Sequence, residues 1–380
     1  MTGGRSPIRD FAGSGLSRLE PAQLGGLVTG QLARLCEVVR LDRADTETYV
    51  EVLADSLGPA AERSLALPPP SPTLLSDDHT PVEYSLAFLP GSTPALRVLL
   101  EPGCGSGDLA ANGRTGLRVI REMADRWNFS TDQLDRLEDL FFPAAPAGAF
   151  ALWCALELRP GGVPAVKVYL SPAANGRDRR AETVREALAR LGHRQAFDAL
   201  PPADDFPFVA LDLGAWQAPR VKVYCTHESL AAEQAGAYSR LAPDEGRDQT
   251  TGFFHTIAGT GNDGAGGAAD GARGPLTRRA LTCHSFTETA TGLPSGFTLH
   301  MPVRTYVEHD GQARERAVAV LRRYGMDSAA LDRALAAVTT RPLSDGVGLV
   351  AYVALVHQRG QAPRVTVYVS SEAYEVQPPR

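Results

Sequence analysis

Three segments of this chain are nearly interchangeable: Ala165-Val166-Lys167-Val168-Tyr169, Arg220-Val221-Lys222-Val223-Tyr224 and Arg364-Val365-Thr366-Val367-Tyr368. In each, valine alternates with a basic, hydroxyl or phenolic residue. Successive side chains of a β-strand point to opposite faces, so the valines share one face. Lys167, Tyr169, Arg220, Lys222, Tyr224, Arg364, Thr366 and Tyr368 then share the other. Such strands demand an apolar cover on one side. If they lie in one closed sheet, they enclose a cavity lined with cations and phenol rings, which suits a ligand carrying both an anion and a reactive cation.

Five strand pairs can be read along the chain: Val82–Leu89 with Ala95–Glu101, Phe150–Leu158 with Ala165–Leu170, Phe208–Leu213 with Arg220–Cys225, Leu281–Thr287 with Phe297–Val303, and Leu349–His357 with Arg364–Ser370. Each pair is joined by a short segment containing Gly or Pro, the mark of a hairpin. Apolar residues at helical spacing predict helices over Leu117–Leu140, Ala181–Leu191 and Ala317–Leu335, and two more within Leu16–Leu57. The unit is therefore helix, strand, strand, helix, repeated five times at a spacing of roughly 55–75 residues. Closure leaves no exposed sheet edge, and a barrel of more than about eight strands holds a true cavity. The expected class is α+β: a closed ten-stranded antiparallel β-barrel with helices outside. Length alone allows one large domain or two. The pattern favours a single domain over 1–380, with N-terminal helices at about 16–58 and barrel repeats at about 80–375. Leu67–Pro72 reads as a Pro-rich linker and Gly259–Pro275 as a mobile surface loop. The latter contains GTGNDGAGG, but no strand before it or helix after it supports a phosphate-binding loop.

A net charge of -6 and a pI near 5.8 argue against a nucleic-acid surface, so any functional cations must be locally concentrated. The five cysteines are scattered without a CxxC pair, which suggests reduced thiols in a cytoplasmic protein. No apolar run approaches the ~18 residues of a membrane helix, and MTGGRSPIRD lacks the apolar stretch of a signal peptide.

Arg97 occupies in the first hairpin the position that Lys167, Arg220 and Lys222 hold in the next two. Inward cations on neighbouring strands repel one another unless an anion sits among them. A diphosphate meets that need through charge-assisted hydrogen bonds; the alternative is a solvated sheet face. Tyr169, Tyr224 and Tyr368 could donate hydroxyls to phosphate and offer ring faces to a cation, with Tyr352, Tyr306 and Trp153 as further candidates. Metal binding is not expected. Asp77-Asp78 lack the rest of a DDxxD-type motif, Asp204-Asp205 are isolated, and the eight histidines show no ligand spacing. Glu83, at the start of the first strand, could accept a proton or hold a donor N–H, or be an ordinary loop-edge charge.

The five αββα units, the segment Asp77-Asp78-His79-Thr80-Pro81-Val82-Glu83-Tyr84-Ser85 and the three basic strands resemble the aromatic prenyltransferases of the ABBA barrel type, specifically the dimethylallyltryptophan synthase branch. The resemblance covers roughly residues 15–375. It implies that Glu83 binds the indole N–H, and that Arg97, Lys167, Arg220, Lys222 and Arg364 hold the diphosphate of dimethylallyl diphosphate. Tyr169, Tyr224 and Tyr368 would line the diphosphate and, with Tyr352 and Trp153, shield the dimethylallyl cation. His300, in Thr298-Leu299-His300, stands where fungal relatives have a tyrosine at the diphosphate. The implied reaction is a Friedel–Crafts alkylation that needs no magnesium or other cofactor. Fungal tryptophan 4-prenylating enzymes use a lysine on the first strand of the second hairpin, and Phe150–Leu158 has none. The short loops and composition resemble the bacterial branch, so C6 of L-tryptophan is the expected target. Alternatives are another acceptor (a cyclic dipeptide, tyrosine or a phenolic compound) or a non-catalytic barrel that carries an isoprenoid or anionic lipid. The expected protein is a monomer or homodimer.

Overall fold

In the computed structural model, residues 20–214, 220–239, 241, 245–260 and 277–380 are described. The alternating segments form ten strands: β1 (Val82–Phe88), β2 (Ala95–Leu100), β3 (Leu152–Glu157), β4 (Ala165–Leu170), β5 (Val209–Asp212), β6 (Val221–Ala231), β7 (Thr277–Phe286), β8 (Gly296–Met301), β9 (Val350–Gln358) and β10 (Arg364–Ser370). Each strand pairs antiparallel with its sequence neighbours. β10 returns to β1, with Glu83 opposite Ser370 and Leu86 opposite Val367, and this last pairing closes the barrel. The expected ten-stranded α+β barrel is the observed one.

The valine faces point outward under helices. Val166, Val168, Val221, Val223, Val365 and Val367 are all buried. Ten helices are found among the described residues: α1 (Leu24–Val38), α2 (Arg43–Leu57), α3 (Leu109–Trp127), the single turns α4 (Asp132–Asp135) and α5 (Glu138–Phe141), α6 (Arg180–Arg190), α7 (Ala232–Ala237), α8 (Glu245–Ala258), α9 (Asp310–Arg323) and α10 (Ser328–Val338). Tyr84, outward on β1, donates its hydroxyl to the Val28 carbonyl of α1 at 2.6 Å. Gly116 lets α3 approach β3 closely, since a Cβ there would lie 3.4 Å from the Leu152 side chain and 3.2 Å from the Pro102 carbonyl oxygen. The β3–β4 turn uses Gly161 and Gly162, both at positive φ, and the Gly161 N–H is anchored to the buried Asp45 carboxylate of α2.

Several expected boundaries are corrected. The helix predicted over Leu117–Leu140 begins at Leu109, capped by the Asp108 carboxylate, and stops at Trp127, where Asn128 turns left-handed. The helix predicted over Ala317–Leu335 is two helices, split where Gly325 adopts φ +64 and Asp327 caps α10. α7 and α8 were not anticipated. β6 and β7 run several residues past their expected ends because backbone pairing continues beyond Thr226, through a register irregularity between His227 and Leu230, after the side-chain alternation has faded. Residues 16–19 and 261–275, covering the start of the first predicted helix and most of the predicted loop, lie outside the described residues.

Candidate functional site

The inward faces enclose two adjoining chambers. The larger, about 490 Å³, receives Arg97 from β2, Lys167 from β4, Lys222 from β6 and Arg364 from β10, with Arg220 just before β6. The smaller, about 160 Å³, is lined by Glu83 from β1, Trp153 from β3 and Tyr352 from β9, with Phe208, Leu75, Asp77 and Arg304 from connecting segments. Tyr169, Tyr224, His300 and Tyr368 line both. Their rings follow one another around the wall: Tyr169 to Tyr224 at 5.9 Å, Tyr224 to His300 at 5.7 Å and His300 to Tyr368 at 5.8 Å between centroids. Four strands separated in sequence thus contribute one aromatic belt at the junction.

Twelve of the residues named above (Glu83, Arg97, Trp153, Lys167, Tyr169, Arg220, Lys222, Tyr224, His300, Tyr352, Arg364 and Tyr368) face one chamber or the other. Tyr306 lines neither. It follows β8 in a 3-10 turn, outside the strand alternation, and donates its hydroxyl to the Arg279 carbonyl. Arg159, just past β3, also lines the larger chamber, 3.2 Å from Glu157.

The cations are not waiting for a ligand alone, as the repulsion argument implied. Arg97 reaches Glu157 at 2.5 and 2.8 Å, and Asp212 takes Lys167 at 3.0 Å and Arg220 at 2.5 Å. Burial works to protonate both carboxylates. Arg97 and Arg159 nevertheless hold Glu157 at about 2, and Lys167, Arg220 and Lys222 hold Asp212 at about 2. Both acids end a strand at the same place, in Leu156-Glu157-Leu158 and Leu211-Asp212-Leu213. Extending the alternation test to acidic residues would have found them.

Lys222 and Arg364 form no ion pair among the described residues. Burial, reinforced by Lys167, drives the Lys222 pKa well down. Burial and then Arg97 lower Arg364 to about 10, and its Nε is buried without a hydrogen-bond partner. Six basic side chains against two carboxylates leave the chamber predominantly positive. Burial also keeps the phenols protonated, raising Tyr169 to about 12 and Tyr224 and Tyr368 upward, so their hydroxyls remain donors. His300 is pushed down to about 3 by burial and then by Lys222, which makes it a neutral imidazole 3.2 Å from the Tyr368 hydroxyl.

The smaller chamber has different chemistry. Trp153 stacks on Phe150 at 4.1 Å and tilts against Phe208 at 5.1 Å, while its Nε1–H donates to the buried Glu101 carboxylate at 3.2 Å. Glu83 is buried and has no hydrogen-bond partner among the described residues. Burial raises its pKa to about 8, with Arg304 pulling it down and Asp77 pushing it up. Asp77 pairs with Arg304, whose guanidinium carbon stands 4.6 Å from the Tyr352 ring centroid. Arg304 was not anticipated, because it belongs to no strand and carries no periodic signal. Asp78 is a structural anchor, accepting from Ser76, Thr80 and the Tyr374 N–H. Among the described residues, no group of three His, Cys, Asp or Glu side chains is placed to hold a metal ion, and no helix is long and apolar enough to cross a membrane.

Comparison with known proteins gives concordant results. Residues 43–333 match the family described as tryptophan dimethylallyltransferase. The prenyltransferase PriB, solved with L-tryptophan and dimethylallyl thiolodiphosphate, is 69% identical, with a TM-score of 0.89 over 94% of this chain and 99% of that one. The 5-dimethylallyl tryptophan synthase of Streptomyces coelicolor, in complex with DMASPP and Trp, is 57% identical with a TM-score of 0.87 over 94% and 98%. The 6-dimethylallyltryptophan synthase of Micromonospora olivasterospora, also in complex with DMASPP and Trp, is 38% identical with a TM-score of 0.83 over 94% and 99%.

Proposed function

The chain belongs to the tryptophan dimethylallyltransferase family and is a transferase of the dimethylallyltryptophan synthase type, and from that premise we propose that it moves the dimethylallyl group of dimethylallyl diphosphate to an indole carbon of L-tryptophan. One observation carries this reading: a strongly cationic chamber and a carboxylate-bearing aromatic chamber meet at a single belt of rings. The diphosphate belongs among Arg97, Lys167, Arg220, Lys222 and Arg364, whose excess charge it opposes in sign. The protonated Tyr169, Tyr224 and Tyr368 add neutral donors. The indole belongs against Trp153 and Phe208, with its N–H directed to Glu83.

As the C–O bond of the donor breaks, its electron pair leaves on the diphosphate, where fixed cations and hydroxyls stabilise the growing charge. The allylic cation lies against the ring faces of Tyr169, Tyr224 and Tyr368, with Tyr352 flanking, which attract it and exclude water. An indole carbon supplies the electron pair of the new C–C bond, and loss of that carbon's proton restores aromaticity. Glu83, in its ionised form and accepting the indole N–H, favours charge build-up on the ring. Neutralisation by side chains gives the mechanism no need of magnesium. The absence of a lysine on β3 argues against attack at C4, and the resemblance to the bacterial branch favours C6. The relatives at 57% and 38% identity carry the 5- and 6- designations, so identity does not rank those two positions.

The test incubates the protein with dimethylallyl diphosphate and L-tryptophan in EDTA and seeks the added five-carbon unit by mass spectrometry, with NMR of the product fixing the carbon. Product formed in EDTA supports the reading; binding of both substrates without product would favour a carrier. A pure anion carrier gains nothing from Glu83, which is the observation against that alternative.

A further inference from the structure

We propose that Glu101, which lines neither chamber, is a positioning residue that sets the orientation of the acceptor ring through Trp153, and so limits which indole carbon reaches the aromatic belt. The role deepens the tryptophan acceptor reading above and rests on it. Glu101 follows β2 in the inward phase of Arg97 and Leu99, but it is 2% exposed and stands behind the chamber wall. Its carboxylate accepts the Trp153 Nε1–H at 3.2 Å and hydrogen-bonds the Thr73 side chain. No cation among the described residues pairs with it, so these two bonds are what offsets its burial. Thr73 is buried as well, and its hydroxyl oxygen accepts the Leu75 N–H at 3.2 Å. Trp153 and Leu75 both line the smaller chamber. One buried carboxylate thus ties together two of the walls between which an acceptor ring would lie.

The anchor matters because a tryptophan side chain has two broad states about χ2, related by a half-turn. Phe150 stacks on one face of Trp153. The separations among Phe150, Trp153 and Phe208 (4.1, 5.1 and 5.7 Å) put the two phenyl rings roughly at right angles as seen from Trp153, which leaves its second face to the chamber. Stacking is indifferent to a half-turn, since both states lay a flat face on Phe150. The N–H is not. In one state it reaches Glu101; in the other it turns away and leaves a buried carboxylate oxygen unfilled. Trp153 also pairs directly with Tyr169 across β3 and β4, and Tyr169 belongs to the belt. A half-turn of Trp153 therefore reshapes the wall beside the reacting atoms. A bond from the indole N–H to Glu83 fixes one point of the acceptor ring and leaves it free to pivot there. The face of Trp153, held in one state, supplies the second constraint. Without the anchor two wall shapes coexist, and a second edge of the acceptor is offered to the allylic cation.

The experiment supplies dimethylallyl diphosphate and L-tryptophan to the native protein, Glu101→Leu, Glu101→Gln and Thr73→Val, and resolves the product isomers by chromatography and NMR. Glu101→Leu removes the acceptor at similar volume. It should lower kcat/KM for L-tryptophan about tenfold and divert a measurable share of the dimethylallyl group to a ring carbon that the native protein alkylates less. Glu101→Gln keeps an oxygen that can accept the Trp153 N–H. It should retain the native isomer ratio and stay within about threefold of native kcat/KM. Thr73→Val loosens Glu101 without removing it, and should shift the isomers in the same direction as Glu101→Leu, to a smaller extent. KM for dimethylallyl diphosphate should hold in all three, which reports an intact barrel. A general loss of stability does not move an isomer ratio. Glu101→Leu that is slower or less stable but gives native isomers therefore overturns the role. So does Glu101→Gln that behaves like Glu101→Leu, because charge and not hydrogen-bond acceptance would then decide. If Glu101→Leu does not fold, Thr73→Val decides, and native isomers there overturn the role. Should the native protein prenylate no tryptophan at all, the underlying reading fails and the positioning role with it.

Discussion

The two chambers share a wall and little else. The larger gathers charge: its cations come from two inward positions that recur among the hairpins, and two carboxylates hold Arg97, Lys167 and Arg220 in place while leaving Lys222 and Arg364 without ion pairs among the described residues. The smaller gathers aromatic surface around one buried acid whose pKa stands near 8. On the function proposed above, one chamber binds an anion that already exists, and the other holds a neutral ring until charge reaches it. The contrast predicts that substitutions in the smaller chamber change turnover, whereas those in the larger change donor affinity.

The sharpest break in that contrast would come from Glu83→Gln. It should lower kcat by about 10²- to 10⁴-fold, the range of a positioned acid–base group, with KM for dimethylallyl diphosphate unchanged. A variant that keeps its turnover would remove Glu83 from the chemistry. The same substitution has a second, thermodynamic signature. With a folded pKa near 8 and an ordinary one near 4.5, the folded chain holds one more proton than the unfolded chain between those values. Glu83's contribution to stability is therefore fully present below about pH 4.5 and is lost as pH rises through 8. Glu83→Gln removes that slope. Its stability relative to the native protein should rise from pH 5 to pH 9 by an amount on the order of 4 kcal/mol, measured by urea unfolding at each pH.

In the larger chamber, Lys222→Ala or Arg364→Ala should weaken donor binding by about ten- to a hundredfold, the worth of a charge-assisted hydrogen bond, and leave KM for L-tryptophan unmoved. Parallel loss of affinity for both substrates would erase the distinction between the chambers. The smallest effect concerns Asp212. Asp212→Asn leaves Lys167 and Arg220 without their carboxylate and should lower the melting temperature of the unliganded protein. It should also enlarge, by a few degrees at about equal ligand, the stabilisation given by inorganic diphosphate. An unchanged ligand-induced shift in differential scanning fluorimetry would show that Asp212 does not compete with the anion.

How far the site was legible follows from where each residue's direction is decided. Lys167, Lys222, Tyr224 and Tyr368 could be assigned to one face from sequence because side-chain direction alternates within a strand, whatever the strand pairs with. Eight strands fall within two residues of their expected ends for the same reason. The ends of β6 and β7 did not, because main-chain pairing outlasted the alternation that signalled it. His300 could be given a position but not a charge, since its neutrality arises from burial beside Lys222, which approaches from another strand.

What the sequence determined by itself, then, was a period of two repeated in five hairpins, and with it an outer face of valine and an inner face of cations and phenols. Only the tertiary structure decided that Glu157 would meet Arg97 across the β2–β3 register, that Asp212 would be shared by Lys167 and Arg220, and that Arg304 would reach Asp77 across 227 residues. The division has a physical cause. Which way a side chain points is a property of a few local dihedral angles, whereas which charge it meets, and how much water surrounds it, depends on strand register and barrel closure.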